Sequence, residues 1–509
     1  MLLPIIFSYA EIHYHLKKIF PLYFKKLPEI IADVPSRSII SDNSIPILLI
    51  VKDSHQFPIQ LEKVKVMIGK PPAEDIIEID LQLDLKIPYF SRILRIPVKE
   101  NMSGNISINV EIQISFAGRT YKFINDNYDL PYKPFRCYFN RESLPYPQNW
   151  YAGDPHYHSN YTDDQVEFGA DIPATIEMAK ALGLDWFFVT DHSYDLDDSL
   201  TDFTKNDSDL PKWKKLLKEV IELKDENVKV LAGEEVSVGN FKGKNVHLLS
   251  VNHPHFIEGK GDGAEKWFNN KPTTYIKDIA DLHNKDNLFI AAHPWEKVPI
   301  LQKLTLRRDK WHSCDFIDGN ISFIQIINGA NRNTLRTSIK KWTELLRIGR
   351  KLFIVAGNDA HGNFNIMRQI KIPFIKLFSS RDQIFGSYHT VFNYPENDPV
   401  AGLKQGKVIV SNGPFLSFNL ENETGRYPIG SVIKGGFYNL HFETATNKEF
   451  GKVKAIYLYR SDLNSESEEL QVDPENGSEL ILSGTGYIRM ELETELGGMV
   501  LTNPVWFNN

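Results

Sequence analysis

Two cysteines, Cys137 and Cys314, stand in 509 residues, too few for a disulfide framework. The cytoplasm is therefore the expected compartment, although an extracytoplasmic enzyme built without disulfides fits the same count. No run approaches the ~18 apolar residues that a membrane span needs, so no membrane partner is expected. The first ten residues are apolar but have neither a basic start nor a small-residue cleavage site, which argues against a signal peptide. A formal charge of -7 offers phosphate backbones no long-range attraction, so nucleic acid is not an expected partner either. Internal repeats and long low-complexity segments are also missing. What is there is ordinary for a globular chain, 42% hydrophobic and 24% charged, at a length that suggests roughly three domains of ~150 residues.

Composition and periodicity divide the chain into three. Residues 1–145 are β-rich: Ile45 to Val51 and Lys63 to Ile68 read as strands, and Asn105 to Ile112 alternates apolar and polar with period two. An antiparallel, sandwich-like domain is expected there. From 146 to 400, short apolar strands alternate with amphipathic helices. Strands are expected near 150–153, 186–190, 228–233, 246–251, 288–292, 321–327 and 352–357. Helices are expected over 172–182, 211–224, 273–283 and 333–349, the first capped by Asp171 and ended by Gly183. Seven βα units of this kind imply an α/β fold with a closed or nearly closed (β/α)7 barrel. Residues 401–509 read as a second β-rich domain.

Chemistry gathers where the expected barrel strands end. His156 and His158 follow the first strand, and residues two apart on an extended backbone point to the same side. Asp163 or Asp164, a turn later, can return a carboxylate to the same place. The second strand ends in Asp191-His192, the third in Glu234-Glu235, the fifth in His293, the sixth in Asn328 and the seventh in Asn358-Asp359-Ala360-His361, while His247 opens the fourth. Six of the 15 histidines thus fall at strand termini, and imidazole with carboxylate suits Zn²⁺, Mn²⁺ or Fe²⁺. Two other H-x-H pairs have the same spacing without this setting, His13 with His15 and His253 with His255, and the first reads as surface or packing residues. Asn328, Asn358, Arg332 and Arg336 are residues that could hold a substrate anion, Arg336 being better explained as the exposed face of a helix. Trp295 suits a pocket wall or a core equally.

The ordered set H-x-H, T-D-H, G-x-E, H-L-L, A-H-P and D-x-H, over residues 150–365, resembles the polymerase and histidinol phosphatase (PHP) superfamily. The string Ser411-Asn412-Gly413-Pro414-Phe415-Leu416 looks like its CehA/McbA-type branch. The resemblance implies a distorted (β/α)7 barrel with a trinuclear centre of two to three divalent ions (zinc, manganese or iron). His156, His158, Glu235 and Asp359 would surround the first, and Glu235 would bridge to a second held by His247 and His293. Asp163, His192 and His361 would hold the third. Asp163 over Asp164 and Glu235 over Glu234 follow the family spacing, and Glu234 is then expected to face the helix layer or solvent.

The expected function is metal-dependent hydrolysis of a small-molecule ester by metal-activated water, a phosphoesterase first and an aryl ester or carbamate hydrolase as the alternative. Asp191 is a candidate to orient a ligand or move a proton, with a structural carboxylate as the competing reading, and Glu235 is the expected bridge. A non-catalytic protein that binds a glycan or a partner is the third reading.

Overall fold

The computed structural model describes residues 27–509 apart from 41, 73, 129–132, 163–168, 201, 203–204, 260–269, 330–331 and 373–375. His13, His15, Asp163 and Asp164 lie outside the described residues.

The N-terminal region folds as two sheets. One has three antiparallel strands, β1 (Glu29–Asp33), β3 (Ser44–Lys52) and β6 (Tyr89–Pro97), with β3 in the centre. The other is built on β2 (Arg37–Ile39), β4 (Ile59–Ile68), β5 (Asp75–Leu85), β7 (Gly104–Phe116), β8 (Arg119–Ile124) and β9 (Phe135–Asn140). The alternation along β4 and β7 turns Val64, Val66, Ile108, Val110 and Ile112 inward, where they share a core with Ile47 and Leu49 of the smaller sheet.

The middle of the chain carries seven strands that neighbour one another in chain order: β10 (Trp150–His158), β11 (Trp186–Val189), β12 (Lys229–Gly239), β13 (Asn245–Val251), β14 (Leu288–Ala291), β15 (Phe323–Asn328) and β16 (Phe353–Gly357). Their residues are apolar on both faces, as in the fully buried Trp186-Phe187-Phe188-Val189 of β11. The expected alternating (β/α)7 barrel is nevertheless corrected here. β12 pairs antiparallel with β13, and β13 antiparallel with β14. Only residues 240–244 join β12 to β13, a tight turn in which the Asn240 side chain accepts from the amides of Lys242 and Lys244. An antiparallel neighbour needs no crossover helix, so the βα alternation breaks at that point.

Among the described residues long helices are few: α1 (Ile172–Leu182), α2 (Pro211–Glu222) and α3 (Arg332–Arg347). The helix expected over 273–283 is a short turn at Ile276–Ile279 followed by a 3₁₀ turn at Ala280–Leu282. The sheet also continues past β10, through the strands His389–Asn393 and Val408–Ser411, into the C-terminal strands Met499–Thr502, Gly486–Thr494 and Val453–Asp462. The result is a strand-dominated protein around one long, curled, mixed sheet. The curl brings its ends together: β17 (Ala360–His361), two residues after β16, pairs in parallel with the end of β10. No helix among the described residues is long and apolar enough to cross a membrane.

Candidate metal centre

His156 and His158 leave β10 on one face, with their Nε2 atoms 3.1 Å apart. The curl of the sheet carries the other ligands to them. The amide of Asp359 donates to the His156 carbonyl at 3.0 Å, and His361 is the β-ladder partner of His158. On the other side, His192 and Glu235 form a parallel bridge, tied by a 2.9 Å bond from the Glu235 amide to the Asp191 carbonyl. His247 faces the cluster from β13. Glu235 and His247 are therefore mid-strand residues of a hairpin, not strand-end residues, because β12 runs on to Gly239. His293 and Asp359 follow the ends of β14 and β16 with φ of 29° and 52°. A left-handed backbone at a residue with a Cβ is strained, on the order of 1–2 kcal/mol each, and here it turns both side chains back over the strand ends.

Three sets of donors converge, with ligand atoms in each set within 4.8 Å of one another: His156, His158, Glu235 and Asp359; Glu235, His247 and His293; and His158, His192 and His361. Glu235 is the hub. Its Oε1 lies 2.6 Å from His247 Nδ1, 3.1 Å from His293 Nε2 and 3.5 Å from His156 Nε2, and its Oε2 lies 3.0 Å from His192 Nδ1 and 3.4 Å from His158 Nε2. Asp359 Oδ1 stands 3.0 Å from His158 Nε2 and 3.5 Å from His156 Nε2. Ligand atoms about 2.1 Å from a shared tetrahedral ion stand roughly 3.4 Å apart, so this spacing fits divalent ions. His158 belongs to two sets, but a neutral imidazole presents one lone pair. The third set needs a further donor to hold its own ion.

Neighbouring groups orient the ligands. His156 Nδ1 is 2.9 Å from Gln325 Oε1, which fixes the tautomer that turns the Nε2 lone pair into the cluster. His361 Nδ1 faces the Asp359 carbonyl at 3.1 Å. Gln383 and Asn328 donate to Asp359 Oδ2 at 2.8 and 3.2 Å. The Arg308 guanidinium sits against His247 Nε2. Gln325 carried a legible signal, one amide inside the otherwise apolar Phe323–Ile327; Arg308 and Gln383 come from loops whose sequence carries none.

Burial alone would push the Glu235 carboxyl up, but the imidazoles around it, His247 and His156 first, hold it well below the usual carboxylate range. Asp359 is likewise held well below that range, burial being outweighed by His156 and His158. His156 follows the opposite logic: burial opposes its charge, yet Glu235 and Asp359 raise it to about 9. Burial, with His361 and His192 adding to it, holds His158 well below the usual imidazole value.

The remaining sequence-selected residues fall elsewhere. Asp191 receives the Ser159 amide and hydroxyl, both at 2.7 Å, and the Thr162 amide and hydroxyl at 3.0 and 2.8 Å. It braces the turn after His158 and is spent there, which replaces a proton-moving role by a positioning one. Asn358 is fully buried, donating to Asp154 and the Tyr388 carbonyl and accepting from Ser387 and the Tyr388 amide. Its hydrogen-bonding capacity is used, so the expectation that it binds substrate is corrected. Asn328 does line the cavity, bonded to Glu296 and Asp359. Arg332 opens α3, its side chain lying outside the described part; Arg336 is exposed, and Trp295 is in the core beside Phe316.

Glu234 points away from the cluster, and of its two expected directions, helix layer or solvent, it takes the first. It faces Ser193 of the short helix Ser193–Leu196, fully buried, with its carboxyl pushed up by burial to about 8. The Ile257 amide donates to Oε1 at 2.9 Å, and Ser193 Oγ lies 3.0 Å from Oε2 and 3.2 Å from the Glu235 carbonyl. A protonated Glu234 can donate to Ser193, leaving the serine hydroxyl to donate to that carbonyl.

No family model and no curated protein matches the chain. Among solved structures it is similar to a beta-glucuronidase of Parabacteroides merdae, at 9% identity over 95% of this chain and 64% of that one, with a TM-score of 0.21. A Paenibacillus cycloisomaltooligosaccharide glucanotransferase in complex with cycloisomaltoheptaose is similar at 10% identity over 94% and 72%, with a TM-score of 0.18. A glycosyl hydrolase family 2 member from Bacteroides cellulosilyticus gives 9%, over 95% and 63%, at 0.16. The chain spans 64% of the length of the glucuronidase. TM-scores this low carry neither a shared fold nor an activity across.

The family placement drawn from the ligand motifs is corrected by these results. No family model supports the PHP superfamily or its CehA/McbA-type branch, and the fold is strand-dominated. The Ser411 to Leu416 string is a turn in which Ser411 Oγ accepts from the Gly413 amide and donates to the Pro414 carbonyl. The phosphoesterase assignment falls with the placement. The donor cluster stands on its own geometry.

Proposed function

We propose that the chain is a metal-dependent hydrolase of a small molecule. The observation that carries this reading is Glu235, one carboxylate whose two oxygens reach into neighbouring donor sets. Two dications against the two carboxylates of those sets, Glu235 and Asp359, leave about two positive charges, which favours an anionic ligand between them. Divalent ions bound there would supply Lewis acidity and lower the pKa of water enough to give a nucleophile near neutral pH. The chain's own residues hold the geometry: Gln325 sets the His156 tautomer, Gln383 and Asn328 fix Asp359, and Asp191 fixes the turn that carries His158. Arg308 adds a fixed cation at the His247 side of the same cavity. His and carboxylate donors in this number suit zinc, manganese or iron.

The test is elemental analysis of protein prepared without chelators, then a hydrolysis panel of aryl esters, carbamates, phosphate esters and glycosides with each metal restored. Two to three ions per chain and chelator-sensitive hydrolysis are expected. Protein that holds no ion and gains no stability from added Zn²⁺ or Mn²⁺ refutes the centre; metal-replete protein inert on every bond type refutes the hydrolase.

A further inference from the structure

The ligand cluster opens into a cavity of about 460 Å³, within the range of small-molecule sites. One side is the cluster itself, with His192, Glu235, His247, His293, Asp359 and His361 in the lining. An apolar part of the remaining lining, set among polar groups such as Lys297, Arg368 and Asp382, comes from a different region. Ile31 on β1 and Ile50 on β3, direct cross-strand partners, line it with Tyr128 and with Met367 of β18 (Met367–Ile372). Partners directly opposite on one face of a pair form a continuous apolar surface.

That wall is fixed relative to the cluster by short tethers. Three residues past the ligand His361, the Phe364 amide donates to Asp33 at the end of β1, at 2.9 Å. Arg368 then donates to the Ala32 carbonyl at 3.0 Å and to Asp126 at 2.8 Å, and Asp126 bridges to Ile31. The edge strand β1 of the N-terminal sheet is therefore hydrogen-bonded, beside Ile31, to the segment that follows His361.

We infer that the N-terminal β-domain completes the substrate pocket and sets its specificity, so that the substrate carries a metal-binding ester-type head joined to an apolar, ring-sized group that packs on Ile31, Ile50, Tyr128 and Met367. This rests on the metal reading of the cluster. The apolar wall also gives the substrate a preferred orientation, head toward Glu235 and ring toward β1 and β3.

Hydroxamates test it, because they bind divalent ions whatever bond the enzyme cleaves. Calorimetric titration of metal-replete protein compares benzohydroxamate with acetohydroxamate. The aryl compound is expected to bind at least tenfold more tightly, and Ile50→Ala and Met367→Ala are each expected to reduce that ratio threefold or more with metal content unchanged. Tyr128→Ala, in a loop outside the sandwich core, serves where Ile50→Ala does not unfold cooperatively. A wild-type ratio near one, ratios unmoved by all three substitutions, or failure of metal-replete protein to bind either hydroxamate overturns the inference. The hydrolase reading fails separately: the expected ratios with no hydrolysis of any panel substrate would sink that reading and leave this one standing, and hydrolysis with a ratio near one would do the reverse.

Discussion

The buried histidines at the strand ends and those elsewhere in the same fold differ in what their ring nitrogens meet. His389 has one nitrogen 2.5 Å from the Tyr146 hydroxyl and the other 3.3 Å from the Gly386 carbonyl, so a neutral ring is satisfied on both sides. His253, in an H-x-H of its own, turns Nδ1 onto the His255 carbonyl at 2.6 Å. His156 instead turns Nε2 toward His158 Nε2, Glu235 and Asp359 at once, at 3.1 to 3.5 Å. Without a cation, a ring that meets this many acceptors satisfies them by taking a proton, as the raised His156 does. The same convergence of ring nitrogens and carboxylate oxygens is good ligand geometry. Spacing in the chain does not separate these cases; the surroundings of each nitrogen do.

The largest expected effect breaks the comparison at its hub. Glu235→Gln keeps the shape but removes the charge that offsets two cations, so at least one ion should be lost and the rate should fall at least tenfold, about 1.4 kcal/mol in the transition state. Glu234→Gln, one residue away, should keep both, since an amide can accept from Ile257 and donate to Ser193 as the protonated acid does. Glu234→Ala should keep the metal but cost about 1–3 kcal/mol of stability through the partners it strands. Metal content, activity and chemical denaturation of the three variants decide it; metal lost from Glu234→Gln and kept in Glu235→Gln would reverse the assignment.

Next in size is the exchange between the two H-x-H pairs. His156→Ala should lose an ion, and His253→Ala should retain the full complement, measured on the same elemental scale. Retention in both would reduce the cluster to a hydrogen-bonded core.

A glycine sharpens the same contrast without touching a ligand. A Cβ on Gly357 would lie 2.8 Å from His156 Cβ and 2.9 Å from Gln325 Nε2. Gly357→Ala should therefore displace the residue that sets the His156 tautomer and weaken metal affinity about tenfold, read by competition with a chelator. Unchanged affinity would show that the Gln325 contact does not position His156.

Most of the cluster was legible because it follows a linear pattern, an apolar strand ending in a polar residue, as at Thr190-Asp191-His192, Ala292-His293 and Asn358-Asp359. Strand direction was not. The strands expected at 228–233 and 246–251 read in either sense; the first runs on to Gly239, and the five-residue turn that follows makes the pair antiparallel and removes the crossover helix. Period two says only that one of Glu234 and Glu235 faces the cluster, and the resemblance chose Glu235; neither tells a solvent-facing neighbour from a buried protonated one. Asn358 was misread for the same reason: its polarity serves Asp154 inside the sheet. Motif order also suggested a family that no comparison supports. Local donor spacing reports on chemistry more directly than on ancestry or architecture.

The smallest effect concerns the satisfied histidine. Burial lowers His389 to about 4, with the Arg37 charge acting in the same direction. The unfolded ring titrates near 6.5, so the folded state prefers the neutral form. Stability from this preference is fully present above pH 6.5 and is lost as pH falls from 6.5 through about 4, because the unfolded chain then takes up a proton that the folded chain resists. The shift corresponds to about 3 kcal/mol. His389→Gln removes the titration while leaving an amide to face Tyr146 and Gly386, so its stability should fall less steeply than that of the wild type across this window, by up to about that amount. Its metal content should equal that of the wild type, unlike His156→Ala. The measurement is denaturant unfolding of both proteins at intervals from pH 7.5 to 4, with the slope against pH rather than the value at any one pH carrying the answer. Parallel slopes would mean that the buried ring binds its proton as readily as the unfolded one, and that burial does not hold it neutral.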